Sequence, residues 1–123
     1  MEQGFKQEGA MTFGQRLREL RKGKNLSQKQ LAEKVDINFT YLSKIENDRL
    51  EADQTPREET IQRLAAALGT DADELLLLAR RIPDSMRDRI LARPNIFKQF
   101  FEELTDDQLE QAVAQAIRNA RKQ

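Results

Sequence analysis

The chain has 123 residues, with 21 Lys and Arg balanced by 21 Asp and Glu. That length suffices for one helical domain with a modest core, or for a small domain plus an appendage. Cys and His are both absent, which removes disulfides, thiolate nucleophiles, Cys-ligated metals and the usual general base near neutral pH; no enzyme and no cofactor is expected.

Residues 1–11, with Gly4 and Gly9 and no periodicity, read as a loose tail. They contain no apolar signal-peptide core, and no apolar run of the chain exceeds the five residues of Leu75 to Ala79, far short of a membrane span. The expectation is a cytoplasmic protein with no membrane partner.

A first helix is expected over 12–23, opened by Thr12 with Gln15 three residues on and running out at Gly23, Lys24 and Asn25. That spacing makes a capping box, in which the two side chains satisfy each other's orphan backbone N–H groups. Ser27 with Gln30 opens a second helix over 28–35, and Asn38 caps a third over 39–46. Asp48–Gln54 reads as a polar loop. Thr55 with Glu58 predicts a fourth helix over 56–68, with Pro56 at its first position and Gly69 as its stop. Thr70 with Asp73 predicts a fifth over 71–80. After Pro83 come helices over 84–92, 95–103 (opened by Pro94) and 106–121 (opened by Thr105 with Gln108). The fold class is therefore all-α.

Apolar side chains recur at the 3.6-residue period. Phe13, Leu17 and Leu20 mark one face of the first helix; Leu31, Ala32 and Val35 follow in the second, and Leu42 and Ile45 in the third. Ile61, Leu64, Ala65 and Leu68 line the fourth, and Leu75, Leu76 and Leu78 the fifth. These predict a five-helix unit with one core.

The zero net charge hides an asymmetry. Residues 12–49 hold nine Lys and Arg against five Asp and Glu, whereas residues 50–123 hold eleven against fourteen. The basic excess coincides with the candidate DNA-binding unit, within which Leu26–Asn47 reads as two short helices joined by a tight turn, the second polar and cationic on one face and apolar on the other. That is the pattern of a helix-turn-helix whose second helix enters the major groove of DNA.

Residues 12 to about 79 resemble the Cro/cI-type, or XRE, helix-turn-helix family. The likeness rests on Phe13-Gly-Gln-Arg-Leu-Arg-Glu-Leu-Arg21, Leu26-Ser-Gln28, Leu31-Ala32, Tyr41-Leu-Ser-Lys-Ile-Glu-Asn47 and Ile61, Leu64, Leu68 and Gly69. It implies a five-helix, lambda-repressor-like DNA-binding domain over 12–81 that binds operator DNA as a dimer and regulates transcription. The helical extension over 82–123 lies beyond the resemblance and is read from its own apolar stripes as a dimerisation or regulatory region. The chain departs from the family pattern where Asp36 and Asp48 stand in place of frequent glycines. The loop from Arg49 to Thr55 is also longer than the commonest version, and its Glu51 and Asp53 would repel phosphate if they faced DNA.

With Leu42 and Ile45 turned inward, Phe39, Thr40, Ser43 and Lys44 occupy the outward face of the third helix. By motif position they are the candidate base contacts: Lys44 donates to guanine acceptors, and Thr40 bonds a base edge or packs on a thymine methyl. Phe39 either touches a thymine methyl or packs against the second helix. The resemblance assigns phosphate contacts to Gln28, Asn38 and Asn47, and Lys29 and Arg49 are further, individually undiagnostic candidates. It also pairs Arg21 with Glu46 as a structural ion pair.

In the extension, Phe97, Phe100, Phe101 and Leu104 form one apolar stripe, and Leu109, Val113 and Ile117 form another. The stripes either pack back onto their own subunit or make a dimer or partner interface. The expected function is sequence-specific binding of double-stranded operator DNA by a homodimeric repressor, with a protein partner reachable through the C-terminal helices. The alternative is an antitoxin or adaptor that uses the same fold mainly to hold a protein.

Overall fold

Five helices carry the apolar periodicities of the N-terminal two-thirds of the chain: α1 (Phe13–Gly23), α2 (Gln28–Val35), α3 (Phe39–Glu46), α4 (Glu58–Leu68) and α5 (Ala72–Leu78). The computed structural model describes residues 11–122, so the expected tail over 1–11 lies, except for Met11, outside the described residues. Among those residues the regular structure is helical throughout, and no helix is long and apolar enough to cross a membrane. The chain divides between Pro83 and Asp84 into two units.

In the first unit, α1 and α2 both pack on α3, and α4 packs on α2 and α5. Leu17, Leu31, Leu42, Ile61, Leu64 and Leu75 meet in one core and are wholly buried. Burying each stabilises the unit by about 1.5–3 kcal/mol relative to exposure. Leu20 is only half-buried and packs at its edge, and Leu78, expected in the core, is half-buried. The α1–α3 approach depends on Gly14: a Cβ there would lie 2.2 Å from the Ile45 carbonyl oxygen.

Three capping boxes form as the spacing predicts, at Thr12/Gln15, Ser27/Gln30 and Thr105/Gln108. Two do not. Helix α4 starts at Glu58, with Arg57 as a residue that makes no side-chain cap. Thr55 is extended (φ −55°, ψ 133°), as the residue before a proline tends to be. The Pro56 ring is fully buried, and its carbonyl accepts from Arg81 Nε at 2.7 Å. That long-range grip carries the extended chain past the proline before the helix begins. Helix α5 starts at Ala72, capped by Asp71, whose side chain accepts from the Asp73 N–H. Thr70 is unavailable because its own N–H donates to the Ala65 carbonyl, closing the end of α4 around left-handed Gly69 (φ 66°). The loop expected over 48–54 contains a 3-10 turn, Ala52–Gln54, and Leu50 packs against the core.

The second unit comprises α6 (Asp84–Ala92), α7 (Pro94–Glu103) and α8 (Asp106–Arg121). Proline opens α7 at a position where its missing N–H costs nothing. The Phe97 and Phe101 rings stack with centroids 6.3 Å apart, and Phe100 meets Phe101 edge to face at 6.0 Å. No side chain of these three helices is buried.

Candidate nucleic-acid interface

The geometry begins at the turn between α2 and α3. Asp36 takes the left-handed conformation (φ 56°, ψ 52°) that a frequent glycine would otherwise supply, and its N–H closes α2 on the Ala32 and Glu33 carbonyls. Ile37 follows and anchors on the core. Asn38 then caps α3, its Oδ1 accepting from the Thr40 N–H at 2.7 Å. The chain therefore reverses within a few residues and α3 leaves at a fixed angle.

The inward face of α3 is buried through Leu42, Ile45 and Glu46. Thr40 and Lys44 lie exposed on the opposite face, Phe39 is half-exposed, and Ser43 is partly covered. Asn47 Nδ2 donates to the Ser43 carbonyl at 2.8 Å, which ties the last turn of the helix. Lys29 and Arg49 are exposed.

Arg21 and Glu46 hold α3 to α1. Arg21 Nε and Nη2 donate to the two carboxylate oxygens of Glu46 at 2.7 and 2.9 Å. Arg21 Nη1 also donates to the Leu26 carbonyl at 2.8 Å, and Gln28 Nε2 donates to Glu46 Oε1 at 3.0 Å. Gln28, expected at a phosphate, thus also braces the buried carboxylate. Every oxygen of that carboxylate has a donor, which is what a buried charge requires. Just beyond the same end of α3, Asp48 adopts φ 56° and its Oδ2 accepts from Thr12 Oγ1 at 2.9 Å.

Thr40 and Lys44 line an open concavity of about 540 Å³, together with Asn38, Asp53, Arg57 and Thr60. Sequence marks Asp53 only as an acid that would repel phosphate if it faced DNA, and it does not single out Arg57 or Thr60. Asp53 and Arg57 reach the concavity because the 49–57 segment folds back alongside α3, and Thr60 reaches it from the first turn of α4; neither periodicity nor a motif signals that path. Tyr41 fastens it: its hydroxyl donates to the Gln54 carbonyl at 2.9 Å. Burial pushes the Tyr41 phenol up from its ordinary value, opposed by the nearby charge of Arg81.

Of the candidates in the second unit, Phe97, Phe100, Leu104 and Leu109 are half-buried, whereas Phe101, Val113 and Ile117 are exposed. Phe101, on 58% exposure, leaves most of an aromatic ring open to water, so the stripes are not covered within their own unit.

Residues 17–75 match a helix-turn-helix protein family. The chain is 39% identical over 66 residues to an immunity repressor protein of Bacillus phage phi105, a match spanning 54% of this chain and 43% of the repressor. It is 39% identical over 79 residues to RghRB, an uncharacterized HTH-type transcriptional regulator of Bacillus subtilis strain 168, spanning 62% of this chain and 55% of RghRB. The chain thus spans about half the length of these curated relatives. Among solved structures, a SinR protein/SinI protein complex shares the fold at 22% identity and a TM-score of 0.50, covering 89% of this chain and 99% of that one.

Proposed function

Because this chain belongs to the Cro/cI-type (XRE) helix-turn-helix family, we propose that it is a sequence-specific regulator that binds double-stranded operator DNA and represses transcription as a homodimer. The observation that carries this reading is the face of α3. Thr40 and Lys44 project from a helix whose other side is buried and whose C-terminal end is clamped by the Arg21–Glu46 pair. A major-groove reader needs this combination of free polar side chains on a rigidly held helix. Phe39 and Ser43 flank the two base-reading residues. Gln28, Asn38, Asn47, Lys29 and Arg49 supply phosphate contacts around them, and no cofactor is required.

One such unit covers a half-site, and a palindromic operator needs two recognition helices about 34 Å apart. The extension over 82–123 supplies the second contact: the open stripes of α7 and α8 bury against those of a second copy. The charges on α8 suit a twofold pairing. Asp106 and Asp107 stand at its start, Arg118 and Arg121 at its end, so antiparallel copies of α8 set acid against base. Similarity to an immunity repressor accords with repression, and similarity at 36% identity over 66 residues to a transcriptional activator, BcrR of Enterococcus faecalis, accords with activation. A reporter placed behind the selected operator decides the sign.

Selection of bound sequences from a random duplex pool tests the reading directly. A palindromic consensus, with affinity that falls steeply as salt rises, is the expected result. Absence of any enriched sequence, together with a tight stoichiometric protein partner, would replace it with the adaptor reading.

A further inference from the structure

The segment joining α3 to α4 places acids where a DNA-facing loop is expected to carry cations, and the fold holds it still. Tyr41 Oη donates to the Gln54 carbonyl at 2.9 Å. The Gln54 N–H donates to the Glu51 carbonyl at 2.9 Å, and the Glu51 N–H donates to Gln54 Oε1 at 3.1 Å. Leu50 anchors one end on the core, and the buried Pro56 with its bond from Arg81 anchors the other. Asp53 sits in this fixed turn, exposed, on the same concavity as Thr40 and Lys44. Among the described residues no Lys or Arg forms an ion pair with it.

We propose that Asp53 is a specificity-determining residue for DNA, selecting at one base pair beside that read by Lys44 for an exocyclic amino group in the major groove. The inference rests on α3 being the groove-reading helix. An ionised carboxylate only accepts hydrogen bonds. In the major groove the amino donors are cytosine N4 and adenine N6; guanine O6 and N7 and thymine O4 are acceptors. Docked against an acceptor, the Asp53 carboxylate loses water and gains nothing, a larger penalty than a neutral side chain would suffer. Discrimination therefore works by rejection of the wrong base as much as by attraction to the right one. Lys44 and Asp53, opposite in sign on one rim, ask for opposite things of the groove.

The test is selection from a random duplex pool by the full chain in wild-type, D53A, D53N and K44A forms. Wild type is expected to enrich cytosine or adenine at one half-site position, and D53A to flatten that preference by about fivefold or more. The positions altered by K44A should survive in D53A. D53N should broaden the position to admit guanine or thymine, because an amide donates as well as accepts. Since Asp53 is exposed, both variants should melt like wild type. A D53A profile identical to wild type at every position, with K44A changing the profile, overturns the proposal. A K44A profile that is also unchanged would mean that α3 does not read the groove, a separate failure.

Discussion

The guanidinium of Arg21 grips both carboxylate oxygens of Glu46, at 2.7 and 2.9 Å, and so fastens the end of α3 to α1 across 25 residues of chain. Glu46 is 3% exposed and Arg21 8%, which makes this a buried pair whose loss leaves an uncompensated charge. Arg21→Ala is expected to cost about 3–5 kcal/mol of stability. Arg21→Lys should recover only part of it, because an ammonium cannot make the two parallel bonds. Thermal or urea melts of the three proteins check this. Melts indistinguishable from wild type would mean that Arg21 acts on DNA and not on the fold.

Gly14 sets how closely α1 approaches α3. Gly14→Ala would gain about 1 kcal/mol of helix propensity. The new methyl would sit 2.2 Å from the Ile45 carbonyl oxygen and 2.8 Å from Asp48 Oδ1. The first of these neighbours is backbone and cannot swing away, so overpacking at about 1–3 kcal/mol should outweigh the propensity gain. A melting temperature equal to or above wild type would show that α1 slides to make room.

Thr40 and Lys44 should behave in the opposite way. Each is exposed, so Thr40→Ala and Lys44→Ala should leave the melting temperature unchanged. Each should weaken binding to the selected operator by about 1–3 kcal/mol while affecting random duplex far less. Titrations of both duplexes at one salt concentration decide it; two variants that bind the operator like wild type would remove α3 from the reading face.

Tyr41 carries a pH signature. Its phenol is raised by burial, so the neutral form is favoured when folded, and the native state holds its proton to higher pH than the unfolded chain. That contribution is fully present below the unfolded value, about 10, and is lost as pH rises through the folded value. Stability should therefore fall above about pH 10. Tyr41→Phe should lessen this alkaline loss while costing about 0.5–1.5 kcal/mol near neutrality through the missing bond to the Gln54 carbonyl. Urea melts at neutral and alkaline pH compare the two; equal alkaline slopes would assign the loss to other groups.

Truncation after Pro83 removes α6, α7 and α8, none of which has a buried side chain. The remaining five-helix unit keeps its own core and should stay folded but sediment as a monomer. Its affinity for a full palindrome should drop towards that for a half-site. A truncated protein that remains dimeric at the same concentrations would place the interface in the first unit.

Much of this molecule is written locally. The three capping boxes and the 3.6-residue apolar spacing concern neighbours within one or two turns of helix, so the all-α class and the outward side of α3 are legible without a fold. The Arg21–Glu46 pairing was legible only through family resemblance, because no periodicity links residues in different helices. What tertiary structure alone decided comes from contacts between segments remote in the chain. Arg81 reaches back 25 residues to Pro56 and delays α4, against the local signal of Thr55, Pro56 and Glu58. Tyr41 draws the 51–54 turn alongside α3 and brings Asp53 and Arg57 to the rim of Thr40 and Lys44. Gly14 is an ordinary helical residue until Ile45 is packed over it. Local hydrogen bonding and side-chain period are properties of a short window of sequence; the path of a loop is settled by which distant groups can be buried and paired together.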